Sequence, residues 1–484
     1  MNVSNDPAAA PWWLIMTALI GSISGLFGIY WDEAWHTDVG RDTFWSPPHL
    51  FIYGGIAAVG LAVALWTWIG LRSGKIQRPM LIAISGAVLT IASGPIDEWW
   101  HVAFGRDAVV WSPPHMAALV GVILLVGSLL IEGARFPGRS GRAFATLASA
   151  GLLAAVLIAV YEYEGDVPQF PVVLYLPLLA GLSSLAFAMI RRVRQGVTLP
   201  ATRAAAAYTG LMVGVVAVLA LLGDSLPAFT IILGPAIVFD LAGRSRSQLA
   251  RAALFSASLL ALYVPYLNIV QRGVHLTAGD VAAGLPAAVA LSWAALIAVE
   301  GVQRIPRRPA VAVATMLLLM IPGTALAHDP GFGDDVAEVR LHAEIIGTTA
   351  VITGQVVGAD CPSLETIRLV GRRAGRTIEG DLSLARCTLS GSVELPDRGR
   401  WFIYTEMAQN GTLLESWIAA NVGGSETAFQ RDTTLYLASI RTSPLSKYMV
   451  GVVLYAVALG ALVYMVHTVR TVEPATVATD SDRA

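Results

Sequence analysis

The sequence predicts a polytopic α-helical membrane protein of about twelve spans, with one extracytoplasmic β-sandwich domain inserted before the last span. Three observations support this fold class. Of the 484 residues, 55% are hydrophobic and 14% are charged, whereas about a quarter of the residues in a soluble domain are charged. The mean hydropathy is +0.63, and apolar runs of about 20 residues, enough for a helix to cross a bilayer, recur along the chain. One long polar segment, residues 327–446, alternates apolar and polar residues as β-strands do.

The apolar runs give the predicted membrane spans. They lie near residues 11–30, 49–71, 79–96, 115–133, 144–162, 172–190, 207–223, 228–242, 251–268, 281–300, 310–326 and 448–468. The N-terminal stretch is short and polar and does not have the pattern of a signal peptide, so the first span is expected to be a permanent anchor.

Basic residues predict the orientation of the spans, because short cytoplasmic loops carry the excess of Lys and Arg. They cluster at residues 72–78, 135–142, 191–203, 244–251 and 304–308. With these loops in the cytoplasm of a cell membrane protein, both termini are cytoplasmic and residues 327–446 are extracytoplasmic. The net charge of −2 and the lack of a basic stripe give no reason to expect nucleic acid as a partner.

A motif occurs twice near the N-terminus, on loops that the charge pattern places outside. WDEAWHTDVGRDTFWSPPH ends at His49, and DEWWHVAFGRDAVVWSPPH ends at His115. Each copy has an acid, a histidine four positions later, and a second histidine after a Ser-Pro-Pro turn. The two sets are Asp32, His36 and His49, and Asp97, His101 and His115. Residues 1–135 are therefore predicted to form two repeated helical hairpins.

The spacing places the three side chains of each copy close together. In a helix, Asp32 and His36 lie one turn apart on one face. Ser46 is a natural N-cap and Pro47 a natural first-turn residue, so His49 should begin the next helix beside the end of the first. Two imidazoles and a carboxylate suit copper, zinc or non-haem iron and leave coordination positions open. The alternative is an Asp–His pair that caps helices and bonds across their interface; the duplication argues against it.

Residues 136–309 are interpreted as a membrane scaffold, with a pathway lining as the alternative. The acidic side chains of Glu162, Glu164 and Asp166 form an outer patch there, for which solvated loop charges are the ordinary explanation.

Six tryptophans crowd the two motifs, and interfacial anchoring explains most of them, with packing around a metal or electron transfer as alternatives. They are Trp31, Trp35, Trp45, Trp99, Trp100 and Trp111.

Residues 310–326 have a basic lead, an apolar core and an Ala-x-Ala ending, which is typical of a secretory signal. Cleavage after Ala327 would give His328 a free amine that could chelate metal together with its imidazole; the alternative is an ordinary transmembrane helix.

Within the polar segment, Cys361 and Cys387 are predicted to form a disulfide, because an extracytoplasmic location permits one; two unrelated thiols are the alternative. Residues 447–469 form the last span, and residues 470–484 a cytoplasmic tail.

The first motif, Asp32-x3-His36-x12-His49, resembles the copper-binding stretch of the C subunit of particulate methane and ammonia monooxygenases. The second, Asp97-x3-His101-x13-His115, is similar to the second copper site of that subunit, again one residue longer. The resemblance covers about residues 10–135. At the second site this chain has Asp97 where the family resembles an Asn-His-His set. The outer domain resembles a fragment of the cupredoxin-bearing B subunit of the family, or a small periplasmic copper-binding β domain. It lacks the His-x-His pair that the B subunit implies.

The resemblance implies copper at one or both sites, with Asp97, His101 and His115 as the catalytic set. It also implies activation of O2, a small apolar substrate that arrives from the lipid, an electron donor such as quinol, and partner membrane subunits. Two alternatives remain open from the residues themselves. One is a protein that takes up or handles copper without oxygenase activity, and the other is a membrane scaffold that binds no metal.

Overall fold

The computed structural model describes residues 10–38, 45–74, 76–104, 110–136, 138–164, 170–243, 245, 247–270, 274, 276–301, 335–358, 361–373, 376–437 and 444–471. It contains a helical region and, nearer the C-terminus, a β domain followed by one more helix. In the described part of the chain, ten helical segments are long and apolar enough to cross a membrane. A polytopic membrane protein with a separate β domain is therefore confirmed.

The helices follow one another closely along the chain. Their bounds are α1 Trp12–Asp38, α2 Pro47–Arg72, α3 Arg78–Phe104, α4 Pro113–Gly133, α5 Gly138–Leu157, α6 Tyr161–Glu164, α7 Tyr175–Val193, α8 Pro200–Leu222, α9 Leu233–Ala242, α10 Gln248–Ser258, α11 Val264–Val270 and α12 Ala278–Glu300. A 3-10 turn joins α5 to α6, and a π-helical turn, Leu259–Tyr263, joins α10 to α11, so each of these pairs crosses as one segment.

Two of the twelve predicted spans are not among these ten segments. The run at 228–242 is wrong as a full span, because it contains only the ten-residue helix α9 after a non-helical stretch at 223–232. Gly223 ends α8 in a left-handed conformation, at φ 83°, and Pro227 has no backbone N–H to give to a helix. The signal-like run at 310–326, with His328 after it, lies outside the described residues.

The two ends of the helical region agree with the alternation of basic loops. After the β domain, a last helix, α13, spans Pro444–Thr471. The Thr471 hydroxyl accepts a hydrogen bond from Arg78 at 2.9 Å, and the Arg470 carbonyl accepts one from Arg192 at 2.7 Å. The end of α13 thus joins two of the basic loops at one end of the bundle, while the start of α13 contacts the second motif at the other end.

The β domain is a closed antiparallel barrel, so the predicted β-sandwich is wrong. The strand order is β1-β2-β5-β4-β3-β6-β7-β8, and β1 pairs with both β2 and β8. Alternation of apolar and polar residues is the same in a sandwich and a barrel, and the pairing that closes the sheet joins strands that lie far apart in sequence. The strands are β1 Asp335–Ile346, β2 Thr349–Val357, β3 Leu364–Arg373, β4 Arg376–Ala385, β5 Thr388–Glu394, β6 Gly399–Gln409, β7 Thr412–Val422 and β8 Ala428–Leu437.

The barrel interior is filled by apolar side chains such as Trp401, Ile403 and Met407. Cys361 and Cys387 form the predicted disulfide, which is confirmed. A separate buried cluster on the outer face of the barrel consists of Val370, Phe402, Tyr404, Trp417 and Tyr436. The guanidinium carbon of Arg431 lies 3.4 Å from the centre of the Trp417 ring. Burial lowers the pKa of Arg431 to about 10.

Candidate metal sites at the two hairpins

The first candidate site lies where α1 meets α2. Helix α1 continues through both Asp32 and His36, so the predicted one-turn spacing of these two residues is confirmed for the backbone. Helix α2 begins at Pro47, directly after Ser46, as the Ser-Pro-Pro sequence predicts. Ser46 occupies the N-cap position, although its side chain makes no capping hydrogen bond.

This arrangement brings a carboxylate and an imidazole together. Nε2 of His49, in the first turn of α2, lies 3.2 Å from Oδ1 of Asp32 near the end of α1. The two side chains are 20% and 22% exposed, which leaves room for a further ligand to approach. The side chain of His36 lies outside the described part of the structure.

The second hairpin repeats this geometry. Helix α4 begins at Pro113 after the N-cap Ser112, whose hydroxyl accepts a hydrogen bond from the backbone N–H of His115. Nε2 of His115 lies 3.2 Å from Oδ1 of Asp97, the same separation as in the first hairpin. His101 lies in α3, one turn beyond Asp97, and its side chain is likewise outside the described residues.

Matched glycines hold each hairpin closed. A methyl group on Gly21 would lie 2.8 Å from the carbonyl oxygen of Gly55, and one on Gly86 would lie 2.7 Å from that of Gly121. Gly21 and Gly86 are 65 positions apart, like Asp32 and Asp97, while Gly55 and Gly121 are 66 apart, like the second histidines. Close backbone contact through small residues is a common way for membrane helices to pack. The repeat therefore includes the packing of the helices as well as the polar residues.

The distances suit a shared metal ion. A nitrogen or oxygen ligand lies about 2.0–2.2 Å from its metal ion. If the angle between two such ligands at the metal is right or tetrahedral, the two ligand atoms are about 2.9–3.5 Å apart. The 3.2 Å separation in both hairpins fits this range. It also fits a direct hydrogen bond of an imidazole to a carboxylate. Among the side chains that the structure describes, no three His, Cys, Asp or Glu residues come together. The third predicted ligand of each set, His36 or His101, is not among those side chains.

The first site is attached to the middle region mainly through aromatic residues of α1. The indole N–H of Trp31 donates a hydrogen bond to Asp224 at 2.8 Å, in the non-helical stretch that follows α8. The ring of Tyr30 meets that of Tyr161 edge to face, with centroids 5.0 Å apart. The end of α1 that carries Asp32 therefore packs against residues of α6 and of the 223–232 stretch.

The second site is held by contacts from the middle region and from α13. The carboxylate of Glu162 accepts a hydrogen bond from the backbone N–H of Val110 at 2.7 Å, and the indole N–H of Trp111 donates to the carbonyl of Ala159 at 2.7 Å. From α13, Tyr455 donates to the carbonyl of Trp111, and Lys447 lies 5.5 Å from the ring centre of Trp100. The helix that leaves the barrel thus contacts the second motif directly.

The six tryptophans of the motifs differ in burial, and interfacial anchoring of most of them stays a prediction. Trp100 and Trp111 are 1% and 7% exposed and belong to the packing around the second site. Trp45 and Trp99 are exposed, as anchors would be. Packing around a metal, the alternative for these tryptophans, stays a prediction.

The prediction of solvated loop charges for the acidic patch of the middle region is wrong for Glu162 and Glu164. Glu164 is 3% exposed, and Glu162 bonds the second motif, so these two are not solvated loop charges; Asp166 lies outside the described residues. The only hint in the sequence is that each of the two acids directly follows a tyrosine in YEYE. The partners of Glu164 lie 11, 66 and 99 positions further along the chain, and no motif marks them.

Comparison of the chain with known protein families, with curated proteins and with solved structures finds no match.

Proposed function

We propose that this protein is a copper-binding integral membrane protein that acts as an oxidoreductase of the membrane monooxygenase type. The observation that supports the proposal best is the repeated placement of an aspartate and a histidine 3.2 Å apart at the same end of two hairpins. The sequence adds a second histidine to each pair, and a set of three protein ligands leaves coordination positions open for O2 or substrate. Zinc or non-haem iron would fit the same ligands.

The second site is the better candidate for chemistry. Val110 and Trp111 are fixed by three hydrogen bonds from outside their own hairpin, and ligands need such support to keep a productive geometry. In this proposal His101 and His115 hold the metal and Asp97 offsets part of its charge. Copper, when bound, supplies the one-electron and O2 chemistry. The apolar helices around the site would admit a small apolar substrate from the lipid, and a quinol or partner subunit would supply electrons.

A second candidate function is the capture and transfer of copper without oxygenase activity. The contact between α13 and the second motif favours it, because α13 follows the barrel directly in the chain. In that case the barrel would receive the ion and the hairpin sites would pass it on.

Metal analysis of the purified full chain tests the proposal. We expect about two copper ions per chain in the wild type, about one in His49→Ala and in His115→Ala, and none in the double variant or in a His36→Ala/His101→Ala variant. His342→Ala, which removes an exposed histidine of β1, should keep the wild-type content. Near-zero copper in the wild type as well as in every variant would exclude both copper functions and leave a membrane scaffold.

Oxygen consumption then separates the enzyme from the carrier. Copper-loaded protein is given a quinol and either a short alkane or ammonia, and O2 uptake is recorded. Uptake that requires substrate and is lost in His115→Ala supports the monooxygenase. Retained copper with no uptake for any donor would support the carrier instead.

A further inference from the structure

A buried carboxyl group lies in the middle of the helical region, apart from both candidate metal sites. Glu164 ends α6 and is 3% exposed. One of its oxygens, Oε1, accepts hydrogen bonds from the hydroxyls of Thr230 at 2.5 Å, Tyr175 at 2.8 Å and Tyr263 at 2.8 Å. The Tyr175 and Tyr263 hydroxyls are also 2.9 Å from each other. Three parts of the chain, distant in sequence, thus meet on one oxygen atom.

Each of these parts departs from a regular helix at the point of contact. Thr230 lies in the non-helical stretch between α8 and α9, and Tyr263 ends the π-helical turn between α10 and α11. Tyr175 begins α7 directly after a 3-10 turn. Irregular backbone at membrane depth is tolerated only where protein or a cavity surrounds it, and π-helical turns are frequent at functional sites. Three such interruptions converge on Glu164.

Three other carboxylates of the helical region have cationic or helix-terminal partners. Glu132 lies 3.1 Å from Arg135, and Glu300 lies 2.6 Å from Arg251. Asp240 accepts hydrogen bonds from the backbone N–H groups of Ala201 and Thr202 at the start of α8. These contacts stabilise a negative charge through an opposite charge or a helix dipole.

Among the residues that the structure describes, the partners of Glu164 are hydroxyl groups instead. Besides its three bonded partners, the titratable groups that face it are the phenols of Tyr30 on α1, Tyr161 on α6 and Tyr208 on α8. The nearby charged groups Glu33 and Arg400 act on Tyr161. Since a charge buried without a counter-ion costs several kcal/mol or more, a bound proton is the simplest way to neutralise this carboxyl group.

We propose that Glu164 is a proton-binding site of the membrane region, with Thr230, Tyr175 and Tyr263 as the hydroxyls that solvate its charged form. The carboxyl group gives its proton to water and becomes a carboxylate, and the reverse step restores the neutral acid. The hydroxyls adapt to both forms, because each can donate to the carboxylate or accept from the acid. The proposal is independent of any metal at the hairpins.

Infrared spectroscopy of the full chain in lipid nanodiscs tests this inference. At about pH 7, exposed carboxyl groups are ionised, so a remaining C=O band of a carboxylic acid reports a buried protonated group. We expect this band in the wild type, its loss on raising the pH, and its absence in Glu164→Gln at every pH. Glu132→Gln is the matched control, because Glu132 is equally buried but has Arg135 beside it, and it should keep the band.

A second variant tests the hydroxyl partners. Tyr175→Phe removes one donor, and we expect the C=O band to move to higher frequency, because a carbonyl that loses a hydrogen bond has a stiffer C=O bond. This variant also gives an answer if Glu164→Gln does not fold. A wild-type spectrum without a carboxylic acid band at any pH from about 5 to 9, or an unchanged band in Glu164→Gln, would overturn the proposal.

Discussion

The hydroxyl of Tyr455, on the helix that follows the barrel, donates a hydrogen bond to the backbone carbonyl of Trp111 in the second motif. Removing it in Tyr455→Phe should weaken metal binding at the second site by up to about fivefold, because a neutral hydrogen bond contributes about 1 kcal/mol. The measurement is a competition titration with a chelating dye in a His49→Ala background, where only the second site remains. Equal affinity with and without the hydroxyl would show that α13 does not support the site.

Substitution of Gly55 tests the close helix contact in the first hairpin. Gly55→Ala places a methyl group 2.5 Å from the carbonyl oxygen of Gly21, and overpacking of this kind costs about 1–3 kcal/mol. We expect a lower Tm and less metal at the first site only. Gly54→Ala is the matched control, because its methyl group meets no atom within 4 Å and alanine is the better helix former. If both variants melt alike, the glycine contact is not what holds the hairpin.

The carboxylates can be tested against neutral amides of the same shape. Asp97→Asn in a His49→Ala background should lower the affinity for copper by at least the 10- to 100-fold that loss of an outer partner of a ligand typically costs. Asp32→Asn in a His115→Ala background should do the same for the first site. Dye competition gives both affinities, and an unchanged value at either site would show that its aspartate is not a ligand.

The disulfide should contribute strongly to the stability of the barrel. Cys361 and Cys387 are 26 positions apart, and closing a loop of that size stabilises a domain by about 3 kcal/mol. The double Cys→Ala variant should lower the Tm of the barrel on the order of 10–20 °C, as followed by limited proteolysis of the full chain on heating. A reductant should lower the Tm of the wild type and leave the variant unchanged; a wild type indifferent to reductant would contradict the prediction.

The sequence predicted the parts of the sites that depend on local chemistry. The Ser-Pro-Pro turn sets the start of α2 and α4, and the four-residue spacing sets the helix face, so the approach of Asp32 to His49 could be foreseen. The matched glycines could also have been found, by applying the 65- and 66-residue offsets of the motif to the rest of each hairpin.

The remaining features depend on contacts between distant parts of the chain. Glu164 gains its partners from positions 11, 66 and 99 residues further on, and no local pattern identifies them. Closure of the barrel depends on the pairing of β1 with β8, whereas apolar alternation specifies only which face of each strand is buried. Burial of Trp100 against α13 has the same cause, because the helix that covers it is more than 340 positions away.

The pairing of β1 with β8 also limits how the outer domain can meet other proteins. In the closed barrel every described strand has a neighbour on both sides, but β7 and β8 pair at only two positions, Leu414 with Leu437 and Glu415 with Tyr436. Recognition by strand addition, which many β domains use, therefore has the rest of the β7–β8 seam as its place on the described barrel. A protein that binds elsewhere on this domain must recognise its side chains and connecting loops, which makes such a contact sensitive to single substitutions on the barrel surface.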